Sequence, residues 1–365
     1  MMSPVHWINR GSPRFLVPGE IRASEEPDRS RRVTCHCLFG GSQDHDASPG
    51  GCIVTVDLGL WWSDVVTSEQ PRAQARVHGF YEKRTSSIQY VVADPQTRKC
   101  AIIDPVLDFD TNSGGTATRS ADEILAFIAE RGYELDWILD THPHADHFSA
   151  AGYLTDRTGA PTAIGEKVVD VQKLWQKIYH SEDCCPADGS QWDRLFADGD
   201  RFKIGAMDVE VMLTPGHTLA SIAYVVGDAA FIHDTLFMPD GGTARADFPG
   251  GSARDLWASI QRILTLGDTT RLFTGHDYCP GGRDPRWEST VAQQKTDNID
   301  LRKAKTEADF VALREDKDQR LPMPRLILQS LQVNLMGGRL PEPESNGKRY
   351  LKIPLDAFKS VPWSD

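Results

Sequence analysis

Three imidazoles and a carboxylate fall within six consecutive residues in the run Thr141-His142-Pro143-His144-Ala145-Asp146-His147. Imidazole nitrogen and carboxylate oxygen together suit zinc, iron or manganese. A lone histidine is usually structural, but four donors packed this closely point to a bound metal. Three further pieces share the character. Thr214-Pro215-Gly216-His217-Thr218 carries a Pro-Gly turn that swings His217 inward. Asp234 ends the apolar run Phe231-Ile232-His233, and Gly275-His276-Asp277-Tyr278 ends another. Each piece alone is a weak signal. In this order they make one set of candidate ligands: His142, His144, Asp146, His147, His217, Asp234 and His276.

Ligands so far apart in sequence need elements that bring them to one place. Ser87–Ala93 and Cys100–Asp104 read as buried strands with Asp94-Pro95 as the turn between them. Ser120 and Glu123 have the spacing of a capping box, followed by Ala121, Ile124, Leu125 and Ile128 at helical intervals. Leu135–Leu139 is a short strand running into the histidine cluster, and a helix is expected to start at Asp146. Val168, Val171, Leu174, Trp175 and Ile178 share one helix face. Met207–Leu213 reads as a strand, and Ile222–Val226 with Ala229–Ile232 as a hairpin about Gly227-Asp228. Ser252–Leu266, Trp287–Lys303 and Thr306–Arg314 read as helices, and Arg271–Thr274 as a strand. Ligand-type side chains thus sit at strand ends, where they converge on one edge of a sheet sandwich.

The chain has 365 residues and a formal net charge of −12, which disfavours a nucleic-acid partner. No apolar run reaches the length of a membrane span. Seven cysteines, an odd number in a long chain, fit a reducing compartment better than a disulfide framework. Met1–Pro18 lacks the pattern of a secretory signal, so a cytoplasmic location is expected. Residues 1–76 are rich in Gly, Pro, Ser, Asp and Arg and read as an irregular extension. Cys35-His36-Cys37 with Asp44, His45 and Cys52 lacks usual zinc spacing and is assigned to it. Residues 77–303 read as the catalytic domain, and 304–365 as a C-terminal helix and extension packed on it.

From Phe80 to Lys303 the chain resembles the metallo-β-lactamase superfamily. That resemblance implies an αββα sandwich with metal at the edge of the two sheets. Gly242-Thr243-Ala244-Arg245-Ala246-Asp247-Phe248 is similar to the Arg-x-Asp-Phe signature of persulfide dioxygenases. So are Gly275-His276-Asp277-Tyr278, Glu288-Ser289-Thr290-Val291 and Asn298, in the branch that also holds the hydroxyacylglutathione hydrolases (glyoxalase II). The dioxygenase resemblance implies one Fe(2+) per chain on His142, His217 and Asp234, with His144, Asp146, His147 and His276 around it. The hydrolase resemblance implies two Zn(2+): His142, His144 and His217 at one, Asp146, His147 and His276 at the other, with Asp234 bridging. Relatives carry glycine where this chain has His233, read as a substitution facing away from the metal, with an extra polar group at the site as the alternative.

The leading expectation is a dioxygenase that oxidises glutathione persulfide with O2 to sulfite and glutathione. Arg245 is expected to hold a substrate carboxylate, or else to pair with Asp247. Tyr278 is expected to donate a hydrogen bond near the sulfur, or else simply to pack. Thr218 is a candidate substrate contact, and in the hydrolase alternative Asp146 would hold or orient the reactive water. A hydrolase of glutathione thioesters is the alternative. A non-catalytic metal- or sulfur-binding module is a third reading. Metallo-hydrolases of this kind often form homodimers, but no interface is legible. Cys279 beside Tyr278 is read as incidental.

Overall fold

A computed structural model of the protein describes residues 74–182 and 185–358. The Cys35–Cys52 patch, Cys184 and nearly all of the expected N-terminal extension lie outside those residues.

The first half runs β1 (Arg76–Glu82), β2 (Ser87–Ala93), β3 (Lys99–Ile103), β4 (Val106–Asp110), β5 (Gly115–Ala117), α1 (Arg119–Arg131), β6 (Glu134–Leu139), β7 (Phe148–Ser149), α2 (Ala151–Thr158), β8 (Thr162–Gly165), α3 (Val168–Tyr179) and β9 (Arg194–Phe196). The second half runs β10 (Arg201–Ile204), β11 (Met207–Leu213), β12 (Ile222–Val226), β13 (Ala229–His233), α4 (Ala253–Ile263), β14 (Arg271–Thr274), β15 (Glu288–Thr290), α5 (Val291–Asp297), α6 (Glu307–Asp318) and α7 (Ile327–Asn334). One six-stranded sheet has the order β1-β2-β3-β6-β8-β9, the other β10-β11-β12-β13-β14-β15.

The continuous apolar runs are strands covered on both faces, with side chains alternating between two cores. In β2, Ile88, Tyr90 and Val92 point between the sheets, while Val91 and Ala93 meet α1 and α2. In β13, Ala229 and Phe231 point between the sheets, while Ala230 and Ile232 meet α4 and α6. The layers are therefore helix, sheet, sheet, helix, the αββα arrangement expected. On the flank, α3 and α7 pack together through Val171, Trp175, Ile327 and Leu331.

Several local expectations are corrected. Thr118, not a capping-box residue, precedes α1 and makes no side-chain cap. Ser120 lies inside the helix, and its N–H and hydroxyl donate to Asp108 of β4 at 3.0 and 2.9 Å. The cap comes from another element, which local spacing cannot reveal. No helix starts at Asp146: β7 intervenes and α2 begins at Ala151. Trp287–Lys303 is not one helix. Glu288–Thr290 pairs with β14, and Thr290 with Gln293 then forms the capping box that starts α5. Helix α7 was not foreseen, because its apolar residues lie among the prolines and glycines of the tail.

Candidate metal centre

Four connections end at the same place. The segment Asp140–His147 leaves β6, His217 follows β11, Asp234 follows β13 and His276 follows β14. The turn at Gly216 has φ +132°, and a Cβ there would lie 2.2 Å from the backbone nitrogen of Leu256, so only glycine fits. Asp234 emerges at a register shift between β13 and β14.

Each imidazole is held by one nitrogen and presents the other. Thr141 donates its hydroxyl to Asp104 at 2.8 Å, so it accepts from His142 Nδ1 at 3.0 Å and leaves Nε2 facing the centre. His217 Nδ1 donates to the Arg245 carbonyl at 2.9 Å, and His276 Nδ1 to the Ser86 carbonyl at 3.2 Å. His144 donates through Nε2 to Asp104 at 2.8 Å. His147 Nδ1 lies 2.8 Å from Asp146. The remaining atoms His142 Nε2, His144 Nδ1, His147 Nε2 and Asp234 Oδ1 are buried with no hydrogen-bond partner. Buried polar atoms are seldom left so, and partnerless imidazole nitrogens beside buried carboxylates fit a cation.

Ligand atoms of His142, His217 and Asp234 all lie within 4.8 Å of one another, as do those of Asp146, Asp234 and His276, and those of His144, Asp146 and His147. His217 Nε2 stands 3.5 Å and His276 Nε2 3.4 Å from Asp234 Oδ2. Burial opposes ionisation of Asp234, but the imidazoles of His276, His233 and His217 outweigh it and hold the carboxyl below its ordinary value. Burial likewise opposes charge on His276, yet Asp234 and Asp146 raise it to about 9. His142 is driven well below the usual histidine value by burial and the neighbouring His144. A neutral imidazole is the form that binds metal.

The expectation that His233 faces away is corrected. Its ring is buried, with Nε2 2.8 Å from Asp104 and Nδ1 3.4 Å from Asp234. Its φ is +37°, in the left-handed region. Asp104 was not singled out from the sequence. It accepts from Thr141 and His144 and pairs with His233. It is a lone aspartate after a strand, so its place under the ligands is visible only in three dimensions.

The model of the metallo-beta-lactamase superfamily matches residues 86–276. The chain belongs to that superfamily. Among curated superfamily relatives, a "Beta-lactamase hydrolase-like protein" of Xylella fastidiosa is 65% identical over 309 residues, 84% of this chain and 70% of that protein. Glyoxylase B2 of Dictyostelium discoideum is 45% identical over 288 residues, covering 78% and 99%. The mouse mitochondrial persulfide dioxygenase ETHE1 is 27% identical over 261 residues, covering 71% and 87%. The crystal structure of ETHE1 from Myxococcus xanthus superposes with a TM-score of 0.58 at 29% identity, covering 72% of this chain and all of that one.

The expected substrate contacts are less uniform than the cluster of candidate ligands. Arg245 is bidentate to Asp247 at 2.7 and 2.8 Å, donates to the Pro322 carbonyl at 2.6 Å and lies over the Phe248 ring. Its guanidinium is thus committed within the chain, and its carbonyl orients His217. The Thr218 hydroxyl is taken by Ser221 at 2.8 Å. Tyr278 is exposed, stacks on His276 with centroids 5.4 Å apart and meets Phe237 edge-on. Cys279 Sγ lies 3.8 Å from the Tyr81 hydroxyl. Among the described residues no helix is long and apolar enough to cross a membrane.

Proposed function

We propose that the protein is an iron-dependent persulfide dioxygenase acting on glutathione persulfide, with one Fe(2+) on His142, His217 and Asp234. The observation that carries this is the convergence of two imidazole nitrogens, both with their other nitrogen already bonded, and one carboxylate. Such a two-histidine, one-carboxylate face leaves positions open and suits non-haem iron. The similarity to ETHE1 and the Arg245–Phe248 segment support the same reaction.

A ferrous ion supplies the redox chemistry that lets dioxygen react with a persulfide sulfur. In the overall reaction dioxygen takes up the electrons that the terminal sulfur loses. Water supplies the third oxygen of sulfite, the S–S bond breaks, the thiol is released and two protons go to solvent. This chain's residues bind, orient and shield. Thr141 and the Arg245 carbonyl keep His142 and His217 in the tautomer that presents Nε2. Ser87 and His147 hold Asp146, the group that would order a water. Tyr278, exposed and stacked on His276, is the hydroxyl that would meet a substrate beside that ring. Arg245 reaches a substrate carboxylate only by giving up Asp247, so its part is first to shape the loop that holds His217.

A thioester hydrolase with two Zn(2+) is the second reading. The convergence of Asp146, Asp234 and His276 favours it, as does the similarity to glyoxylase B2. The decisive experiment is metal analysis after anaerobic purification, with oxygen uptake on glutathione persulfide and cleavage of S-lactoylglutathione measured in parallel. About one iron per chain with oxygen uptake is expected. Two zinc ions with fast thioester cleavage and no uptake would overturn the dioxygenase. A site that holds no metal and turns over neither substrate would point to a non-catalytic module.

A further inference from the structure

The segment from His144 to Ser149 must hold its shape for His144, Asp146 and His147 to converge, yet it is neither helix nor sheet until β7. Its inward backbone groups therefore need partners from elsewhere. One side chain supplies three. Asn334, the last residue of α7, donates both Nδ2 hydrogens, one to the His144 carbonyl and one to the His147 carbonyl, each at 2.7 Å. Its Oδ1 accepts from the Ser149 N–H at 2.7 Å. Asn334 is 3% exposed, and these three bonds use both amide hydrogens and the oxygen of its carboxamide.

The placement of Asn334 is itself held. Val333 packs with Phe148, Ala151 and Leu154, and Leu331 packs with α3. Beyond the helix, Gly338 has φ +74°, and a Cβ there would lie 2.7 Å from the Ser149 carbonyl oxygen. The chain thus closes tightly over the same segment.

We propose that Asn334 is a positioning residue for the metal centre: through the carbonyls of His144 and His147 it sets the directions of two ligand-type side chains. The inference rests on reading this segment as metal-binding: with two zinc ions His144 and His147 are ligands and Asn334 stands one step from the metal, whereas with one iron they surround the ion and Asn334 stands a step further out. No shorter or longer side chain reproduces it. Serine has one hydroxyl hydrogen for two carbonyls, and alanine has none. Groups one step removed from the metal typically change its affinity about 10–100-fold when lost.

The test uses the full chain stripped of metal and titrated with cobalt(II), following the visible d–d absorption and competition with a chelator. Wild type, Asn334→Ala, Asn334→Ser and Val333→Ala are compared well below their unfolding temperatures. Val333→Ala removes packing from the same helix but no bond to the segment. Asn334→Ser is expected to bind cobalt at least tenfold more weakly with an altered spectrum, and Asn334→Ala more weakly still. Val333→Ala should bind like wild type even where its thermal stability is equally reduced. If alanine at 334 prevents folding, the serine variant decides alone. Wild-type affinity and spectrum in the serine variant, or a loss in Val333→Ala equal to that in the 334 variants, would overturn the inference. A wild-type chain that binds no cobalt would instead remove the metal reading, and this inference with it.

Discussion

Asp104 Oδ2 stands 2.8 Å from His233 Nε2 in the buried floor of the site, while Oδ1 of the same carboxylate accepts from His144 Nε2 at 2.8 Å. Burial opposes charge on Asp104, but the two imidazoles and their hydrogen bonds outweigh it and keep the carboxyl well below its ordinary value. The anion therefore organises Thr141, His144 and His233 from below. Asp104→Asn keeps the shape but turns an acceptor into a donor facing other donors. We expect a loss of about 3–5 kcal/mol in stability and metal binding weaker by about 10–100-fold. Urea unfolding and chelator competition on the same preparation measure both. A variant as stable and as metal-retentive as wild type would show that Asp104 plays no such part.

The metal count can be read from a graded mutant series. With one iron on His142, His217 and Asp234, His142→Ala and His217→Ala should leave the purified protein nearly iron-free. His147→Ala and His276→Ala should keep iron but bind it about 10–100-fold more weakly. Iron per chain by elemental analysis separates the cases. Equal loss in all four variants would favour two metals sharing Asp234.

Tyr278 is exposed and its ring lies parallel to that of His276 at 5.4 Å. Tyr278→Phe retains the stack and deletes only the hydroxyl. If that hydroxyl donates to the substrate sulfur, kcat/KM should fall about tenfold, the worth of roughly one hydrogen bond, with iron content unchanged. Steady-state oxygen uptake is the measurement, and unchanged kinetics would leave Tyr278 with packing alone.

Cys100 is fully buried in β3, and burial pushes its thiol up to about 12. Below pH 9 the thiol is protonated in both folded and unfolded chains and contributes no pH dependence. Above pH 9 the unfolded chain loses the proton while the folded one keeps it, so stability falls as pH rises through 9 toward 12. The share lost by pH 10 is about 1.4 kcal/mol. Cys100→Ala should flatten that part of the stability profile. The native thiol should also resist iodoacetamide at pH 8, as seen by peptide mass spectrometry; rapid native labelling would contradict the burial.

The candidate ligand types, their order and their position at strand ends are legible in the sequence because they are local. A buried strand is a short apolar run, and the residue after it is read directly. The hairpin of β12 and β13 and the apolar face of α3 are legible for the same reason, since their periods lie within one element. Tertiary structure alone decides which nitrogen of each histidine is free. The partners of His142, His217 and His276 come from Thr141, Arg245 and Ser86, and two of those three are distant in sequence. It alone also turns His233 inward onto Asp104, caps α1 with Asp108 and brings Asn334 across 190 residues to the His144 carbonyl. A hydrogen bond between distant residues leaves no periodic trace in either segment, so it exists only once packing has set the distance.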